Sequence, residues 1–430
     1  MRKYLLLLVS ILSLANSYAQ EPQVLKLSAE QVEALFLKQN LQLIAEHLNI
    51  DLADAAIIQA KLWDNPEISV GSVNLWTTDK QREGEKEVIP PLFGSFARNT
   101  QFSVELSQLI QTAGKRGKLV KQEKVSKEIA IQEFEEVFRG LKIELRKSIN
   151  EIVYLQAYQK VLAQQEESLG QLITAYQKQV AQGNIAKSEL LRLQSSLLEL
   201  ENESNDTQID LNEQQKGLKT LLNVTPSVVI VIEDNAQTVQ DPNNLSLANL
   251  LDMASEFRPD VKASRLQTQF HEKSLAYEKA QRIPDLTVSA NYDRYGGVWK
   301  DFVGFGVSFD IPFFNRNQGN IKAARISRDQ SIHLAELQQN QAQHEVAEAY
   351  GNYALAYRFY KRVSENSLLS ELDGMLTVYT KNLLNKNISM LEFIDFMDSY
   401  KTNKETLLSA RKKVNTQFEE LQYTVGSDIK

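Results

Sequence analysis

Glu392 and Asp395 follow a short turn at the predicted start of a helix. Carboxylates gathered there would repel one another, rise in pKa and favour cations over anions. A helix dipole also favours acidic residues in its first turn, and Glu189, at the equivalent place in an internal repeat described below, fits that simpler account. Asp395 separates the two readings, because its repeat counterpart is Arg192. His333 and His344 are 11 residues apart, one helical face but about 16 Å of rise, too far to share a metal. Met390 and Met397 read as packing residues rather than a copper relay. Lys115, Arg116, Lys118 and Lys121 form a basic cluster where a strand gives way to a helix, suited to headgroup contact or to plain solvation.

No catalytic signature accompanies these groups. Gly304-Phe305-Gly306 lacks the third glycine of a dinucleotide loop, and His271-Glu272 has Leu275 where a zinc protease needs histidine. No cofactor motif and no metal-ligand spacing is present. With no cysteine, disulfides, thiolate metal sites and a lipid-anchored cysteine are excluded together. A net charge of -7 over 430 residues argues against a nucleic-acid partner.

The elements that must position these residues begin after a leader. Met1-Arg2-Lys3, a Leu-rich run from Tyr4 to Leu14, and Ser17-Tyr18-Ala19 have the charged, apolar and small-residue layout of a cleavable export signal, so the mature chain is expected to start near Gln20. Beyond it no apolar stretch approaches the roughly 20 residues of a membrane helix, and mean hydropathy is -0.34.

The rest is written twice. Leu27-Ser28 answers Leu245-Ser246, and Asn65-Pro66-Glu67-Ile68 answers Ile283-Pro284-Asp285-Leu286, both at an offset of 218 (246 − 28 and 284 − 66). Tyr176, Asn184-Ile185 and Glu189 answer Tyr379, Asn387-Ile388 and Glu392 at 203. Gly117 answers Gly319 at 202, so the first copy carries a longer loop, by about 16 residues (218 − 202), between its two strand segments, where length varies most easily. Each unit reads helix, strand, strand, very long helix, short turn, helix. The first helices are expected over Ser28–Lys61 and Ser246–Gln281, ended by Pro66 and Pro284. The long ones are expected over Lys118–Val180 and Asn320–Leu383, each on the order of 95 Å. Their Leu, Ile, Val and Ala recur at three- and four-residue steps, as in a coiled coil with one wet side.

Four segments alternate with a period of two. Val303, Phe305, Val307, Phe309 and Ile311 oppose Gly304, Gly306, Ser308 and Asp310; Leu286, Val288, Ala290 and Tyr292 oppose Thr287, Ser289, Asn291 and Asp293. Phe102, Val104 and Leu106 oppose Gln101, Ser103, Glu105 and Ser107, whereas between Asn65 and Trp76 the apolar set changes face between Val70 and Val73. Each segment has the length of a tilted membrane strand, with Trp76, Tyr292, Tyr295 and Trp299 placed as an interfacial girdle; a half-buried soluble sheet alternates in the same way. Four strands cannot close a barrel in lipid. Three copies would supply about 12 strands and close one.

Arg258-Pro259-Asp260, Ile283-Pro284-Asp285-Leu286 and Ile311-Pro312-Phe313-Phe314, within this architecture, resemble the TolC family of outer-membrane efflux proteins over the whole mature chain. Gly114-Lys115-Arg116 and Asn315-Arg316-Asn317-Gln318-Gly319 resemble its heavy-metal cation branch of CzcC-like and CusC-like proteins. The resemblance implies a mainly α fold with a membrane β-barrel: a homotrimer with four strands per chain in a shared 12-stranded barrel, continued by a coiled-coil helical tunnel. The implied organisation is a signal peptide at 1–19, a first repeat at 20–225 with strands 66–76 and 99–111, a connecting equatorial segment at 226–245, and a second repeat at 246–430 with strands 284–295 and 301–313.

The implied place is the outer membrane, extending into the periplasm. The implied partners are outer-membrane lipid, a periplasmic adaptor (membrane fusion protein) and an inner-membrane pump of the resistance-nodulation-division class, with metal cations as cargo. The chain would be a passive duct and not an enzyme. Glu392 and Asp395 match acidic residues that ring the periplasmic constriction, and Gly183, Asn184, Ile185, Lys386, Asn387 and Ile388 fall on the adaptor-facing tips. Two departures stand out: Lys386 replaces the usual glycine of the second tip turn, and Leu222-Asn223 replaces a Leu-Gly. A duct for drug efflux or type I protein secretion, and a poreless secreted coiled-coil scaffold, are the alternative expectations.

Overall fold

The computed structural model describes residues 24–74, 101–233, 239–294 and 301–429. The leader and the girdle residues Trp76, Tyr295 and Trp299 lie outside them. In chain order the elements are β1 (Val24–Leu27), α1 (Ala29–Gln39), α2 (Leu41–Lys61), β2 (Glu67–Asn74), β3 (Gln101–Ile110), α3 (Lys115–Ala181), α4 (Lys187–Leu222) and β4 (Val229–Ile232). After a 3-10 turn at Pro242–Asn244 follow α5 (Leu247–Phe257), α6 (Pro259–Gln281), β5 (Leu286–Asp293), β6 (Phe302–Ser308), α7 (Gln318–Ser364), α8 (Ser367–Leu384) and α9 (Met390–Val425). The chain divides into two compact units, one of residues 1–47, 134–259 and 339–430, the other of 48–133 and 260–338.

Three expected helices are interrupted, each for a local reason. The chain leaves the helix at Asn40 (φ -65°, ψ 115°). Buried Asn40 accepts from the Leu43 N–H (2.8 Å) and donates to the Leu221 carbonyl (2.9 Å), so its amide ends one helix and caps the next. The second break falls at Arg258 (φ -61°, ψ 124°), because Pro259 excludes helical angles from the residue before it. The third separates α7 from α8 at Glu365-Asn366, where Ser364 bonds back to the Lys361 carbonyl. Short polar side chains compete there for backbone groups. By contrast, α3 runs unbroken for 67 residues.

In the first unit, apolar residues of α3, α4, α8 and α9 pack around Leu172, Leu193, Phe393 and Tyr400, while α1, α3, α4 and β4 enclose Val32, Phe36, Leu145 and Ile230. The β1–β4 pair is parallel and falls partly in the stretch read from sequence as a connecting segment. Its cue was the β-branched run Val228–Ile232. On the far edge of β4 the Gln215 amide bonds both backbone groups of Ile230, and Gln156, with its amide oriented to match, does the same for Ile232 (3.2 and 3.3 Å). Two glutamines thus stand where a further strand would satisfy the backbone.

Arg146 of α3 joins three segments far apart in sequence: Glu33 (2.6 Å), Glu419 (2.7 Å) and Asp428 (3.3 Å). Burial opposes its charge, but the bonds to Glu33 and Glu419 outweigh it and hold the guanidinium pKa above its ordinary value. Burial raises the pKa of Glu419 despite Arg146.

Candidate channel wall and tips

In the second unit β2, β3, β5 and β6 form one antiparallel sheet in that order. The register aligns the faces across all four strands. Ile68 opposes Leu106, which opposes Ala290, which opposes Phe305; Val70, Val104, Tyr292 and Val303 form the next row. On the other side run Glu67, Ser107, Ser289 and Gly306, then Ser69, Glu105, Asn291 and Gly304. One face is therefore apolar and the other polar. Among the described residues nothing covers the apolar face: Ile68, Val70, Leu106, Val303, Phe305 and Val307 are all exposed, Phe305 at 87%.

The awkward alternation in β2 is resolved by a bulge. Gly71 opposes Ser103 and Asn74 opposes Gln101, so one extra residue is accommodated in β2 and Val73 returns to the apolar side. Phe309 and Ile311 lie beyond β6, which ends at Ser308, although both remain exposed. None of the four strands contains Lys, Arg or His, and their carboxylates Glu67, Glu105 and Asp293 all fall on the polar face. Gly304 and Gly306 lie beneath Asn291 and Ser289; a Cβ at 306 would stand 2.7 Å from Ser289 Oγ.

The basic cluster at the foot of β3 is shared among separate partners rather than forming one wet patch. Lys115 is buried against Asp285 (2.8 Å), Lys118 bonds the Ala113 carbonyl (2.6 Å), and Arg116 stacks over Trp63 at 3.7 Å. Lys121 is exposed.

Both tip turns belong to the first unit and share one backbone pattern. Asn184 N–H reaches Gln179 O and Asn387 N–H reaches Asn382 O, both at 2.9 Å, while Gly183 and Lys386 bond three residues back at 3.0 Å. Gly183 has φ 73° and Lys386 has φ 60°, so lysine adopts the left-handed conformation glycine uses in the first turn. Asn223, which ends α4, does likewise at φ 50°. Gly183, Asn184, Lys386 and Asn387 are exposed, whereas Ile185 and Ile388 pack against the core.

Glu392 and Asp395 are exposed on one face of α9, but their surroundings differ. Ser389 and Glu392 form a reciprocal capping box, with Ser389 N–H donating to Glu392 at 2.7 Å and Glu392 N–H to Ser389 Oγ at 3.2 Å. Hydrogen bonds from the Ser389 backbone and hydroxyl hold the Glu392 carboxyl below its ordinary pKa. Asp395, one turn on, takes no part in that cap. Met390 and Met397 are buried in the tip core. Among the described residues no group of three His, Cys, Asp or Glu side chains could hold a metal.

A family model described as outer membrane efflux protein matches residues 34–224 and 250–365. The cobalt-zinc-cadmium resistance protein CzcC of Cupriavidus metallidurans is 21% identical over 299 residues, 69% of this chain; the match covers 66% of CzcC, just under two-thirds of its length. The solved structure of CusC is similar with a TM-score of 0.72 at 18% identity, covering 96% of each chain. The outer membrane protein VceC of Vibrio cholerae gives 0.72 at 16%, over 94% of this chain and 97% of VceC. CmeC of Campylobacter jejuni gives 0.73 at 13%, over 93% and 85%. At these identities the structural likeness is one of fold.

Proposed function

Starting from the chain's membership of the outer membrane efflux protein family, an outer-membrane family of channels rather than enzymes, we propose that three copies form a passive exit duct for metal cations. The observation that carries the proposal is the sheet. Among the described residues it has an apolar face with nothing over it, a polar face without a basic residue, and two strands, β2 and β6, paired on one side only. In lipid an open edge leaves backbone groups unsatisfied, so β6 of one copy pairs with β2 of the next. Three copies of four strands give twelve (3 × 4) and close the ring. The carboxylates of the polar face then line the lumen and favour cations.

On this reading an inner-membrane pump of the resistance-nodulation-division class and a periplasmic adaptor deliver cargo at the tips. Gly183, Asn184, Lys386 and Asn387 are the tip residues that face outward to meet the adaptor. Ile185 and Ile388 support the turns from within. Asp395 is the carboxylate available to a constriction ring, and Glu392 joins it while capping α9. The cargo assignment is supported by Gly114-Lys115-Arg116, by Asn315–Gly319, by the likeness to CzcC and by the acidic polar face.

Light scattering of the detergent-extracted protein, with detergent subtracted, should give a trimer, and a monomer would refute the shared barrel. In planar bilayers the double variant Glu392→Ala with Asp395→Ala should conduct more and be blocked less by divalent cations; unchanged values would remove the ring assignment. A deletion strain should become sensitive to divalent metals. Sensitivity confined to drugs would transfer the cargo assignment to drug efflux.

A further inference from the structure

The helices of the first unit are not equally covered. At the level of the tips and the helical shaft, α3 and α9 hold their apolar side chains inside, Leu391 on α9 being the exception. Among the described side chains at that level the exposed large apolar ones are Leu191, Leu198 and Ile209 on α4, and Leu355, Phe359, Met375, Val378 and Leu384 on α7 and α8, each 42–66% exposed. Contacts order the helices. Tyr158 and Gln159 of α3 bond Glu203 and Ser204 of α4; Glu151 and Gln165 of α3 bond Lys412 and Met397 of α9; Tyr353 of α7 and Tyr379 of α8 lie against Phe418 and Phe396 of α9. Lys401 of α9 also reaches Glu203 of α4 (2.6 Å), so α4 packs against both α3 and α9, with α7 and α8 on the other side of α9, and the two uncovered stripes lie on α4 and on α7 with α8.

The same contacts act as rungs that compare heights. Through them Ile209 stands level with Phe359, Leu198 with Met375 and Val378, and Leu191 with Leu384, each to within about one helical turn, ~5 Å. Phe359 and Leu355 border a groove of about 370 Å³ floored by Ala410. Charges match at the same height: Asp210 and Glu213 flank Ile209 on α4, and Arg358 and Arg362 flank Phe359 on α7. All four are exposed, and none forms a salt bridge among the described residues.

A cyclic assembly whose axis runs along the helices keeps every residue at its own height, so only groups that are level can meet across a seam. Resting on the trimer proposed above, we infer that α4 of one copy packs along α7 and α8 of the next, with Ile209 seated in the Leu355–Phe359 groove and Asp210 and Glu213 facing Arg358 and Arg362. The occupant of each apolar edge is the opposite edge of a second copy. The contact is heterologous and closes only as a ring.

The absence of cysteine makes the test direct. The full-length double variant Ile209→Cys with Phe359→Cys, oxidised in the outer membrane, should run on a non-reducing gel as dimer and closed trimer that collapse to monomer on reduction. Leu198→Cys with Leu355→Cys pairs positions of different height and should remain at least tenfold less cross-linked. A detergent-extracted trimer in which the level pair fails to link, or links no better than the mismatched pair, overturns the seam while leaving the duct intact. A monomer by light scattering overturns duct and seam together. As a second line, Asp210→Arg with Glu213→Arg should lose trimer, and adding Arg358→Glu with Arg362→Glu should restore it. Loss without restoration counts against the pairing.

Discussion

Asn40 and Arg258 are equivalent positions in the two halves (258 − 40 = 218), and the backbone does nearly the same thing at both, leaving the helix at φ -65°, ψ 115° and φ -61°, ψ 124°. The first half obtains the bend from a buried amide that bonds two backbone groups. The second obtains it from a proline that removes the helical alternative. The tips repeat this lesson. Gly183 and Lys386 share a left-handed angle, but α4 starts at Ala186 with no side-chain cap, whereas α9 starts at Ser389 with a full capping box. Equivalent backbone is reached by different chemistry, so the same substitution should have unequal consequences in the two halves.

Arg146 offers the strongest way to break the equivalence, because its counterpart, 203 residues on, is Ala349, a small residue in an apolar core. Arg146→Met should cost about 3–5 kcal/mol, since it leaves buried Glu419 without its cation. Thermal unfolding of the extracted assembly would measure it, and a loss below about 1 kcal/mol would show that the cluster is not coupled to stability. Next in size is Asn40→Ala, expected to cost about 2–3 kcal/mol by removing a cap and stranding the buried Leu221 carbonyl. Pro259→Ala should cost under about 1 kcal/mol, because Arg258 remains tied to Glu345 (2.7 Å) and Thr424 (3.3 Å). Equal losses at the two bends would contradict the account given for them.

At the tips Ser389→Ala should destabilise the start of α9 by about 1 kcal/mol, while Ala186→Ser should gain up to about that much at the start of α4. Hydrogen exchange at the two helix starts would read both changes. The capping box also predicts a pH dependence. The folded pKa of Glu392 lies below its unfolded value, so its contribution is present above the unfolded pKa and is lost as pH falls through the folded one. Carbon-detected titration should find the Glu392 carboxyl returning upward in Ser389→Ala. The smallest effect expected is a gain of about 0.5–1 kcal/mol for Lys386→Gly, with a similar loss for Gly183→Lys, because no atom lies within 4 Å of a Cβ at 183 and only backbone angle is at stake.

Much of this was readable along the chain, because period-two alternation and three-four apolar spacing are local properties that survive without knowledge of the partner. Phe305 beside Gly304 and Gly306, the prolines at 66 and 284, and the double writing of Asn184-Ile185 and Asn387-Ile388 point to strands, helix stops and paired tips by themselves. Other features depend on groups distant in sequence. Asn40 is a helix break only because Leu221 stands where its amide can reach, 181 residues away. Arg146 is one basic residue among many until Glu33 and Glu419 converge on it. The bulge in β2 was visible only as a fault in the alternation, and pairing with β3 shows where the extra residue goes.

Sequence alone determined the helices and two-faced strands of each repeat and their order, since these follow from residue chemistry within a few positions, but not the β1–β4 pair or the breaks within three helices. Tertiary structure decided that Lys386 takes a glycine conformation and that the uncovered edges of α4 and of α7 with α8 match in height, whereas the Ser389–Glu392 cap is a local Ser-x-x-Glu pair that the sequence already carries. The matched edges depend on which helices lie side by side, and that is settled by packing over hundreds of residues rather than by any local preference.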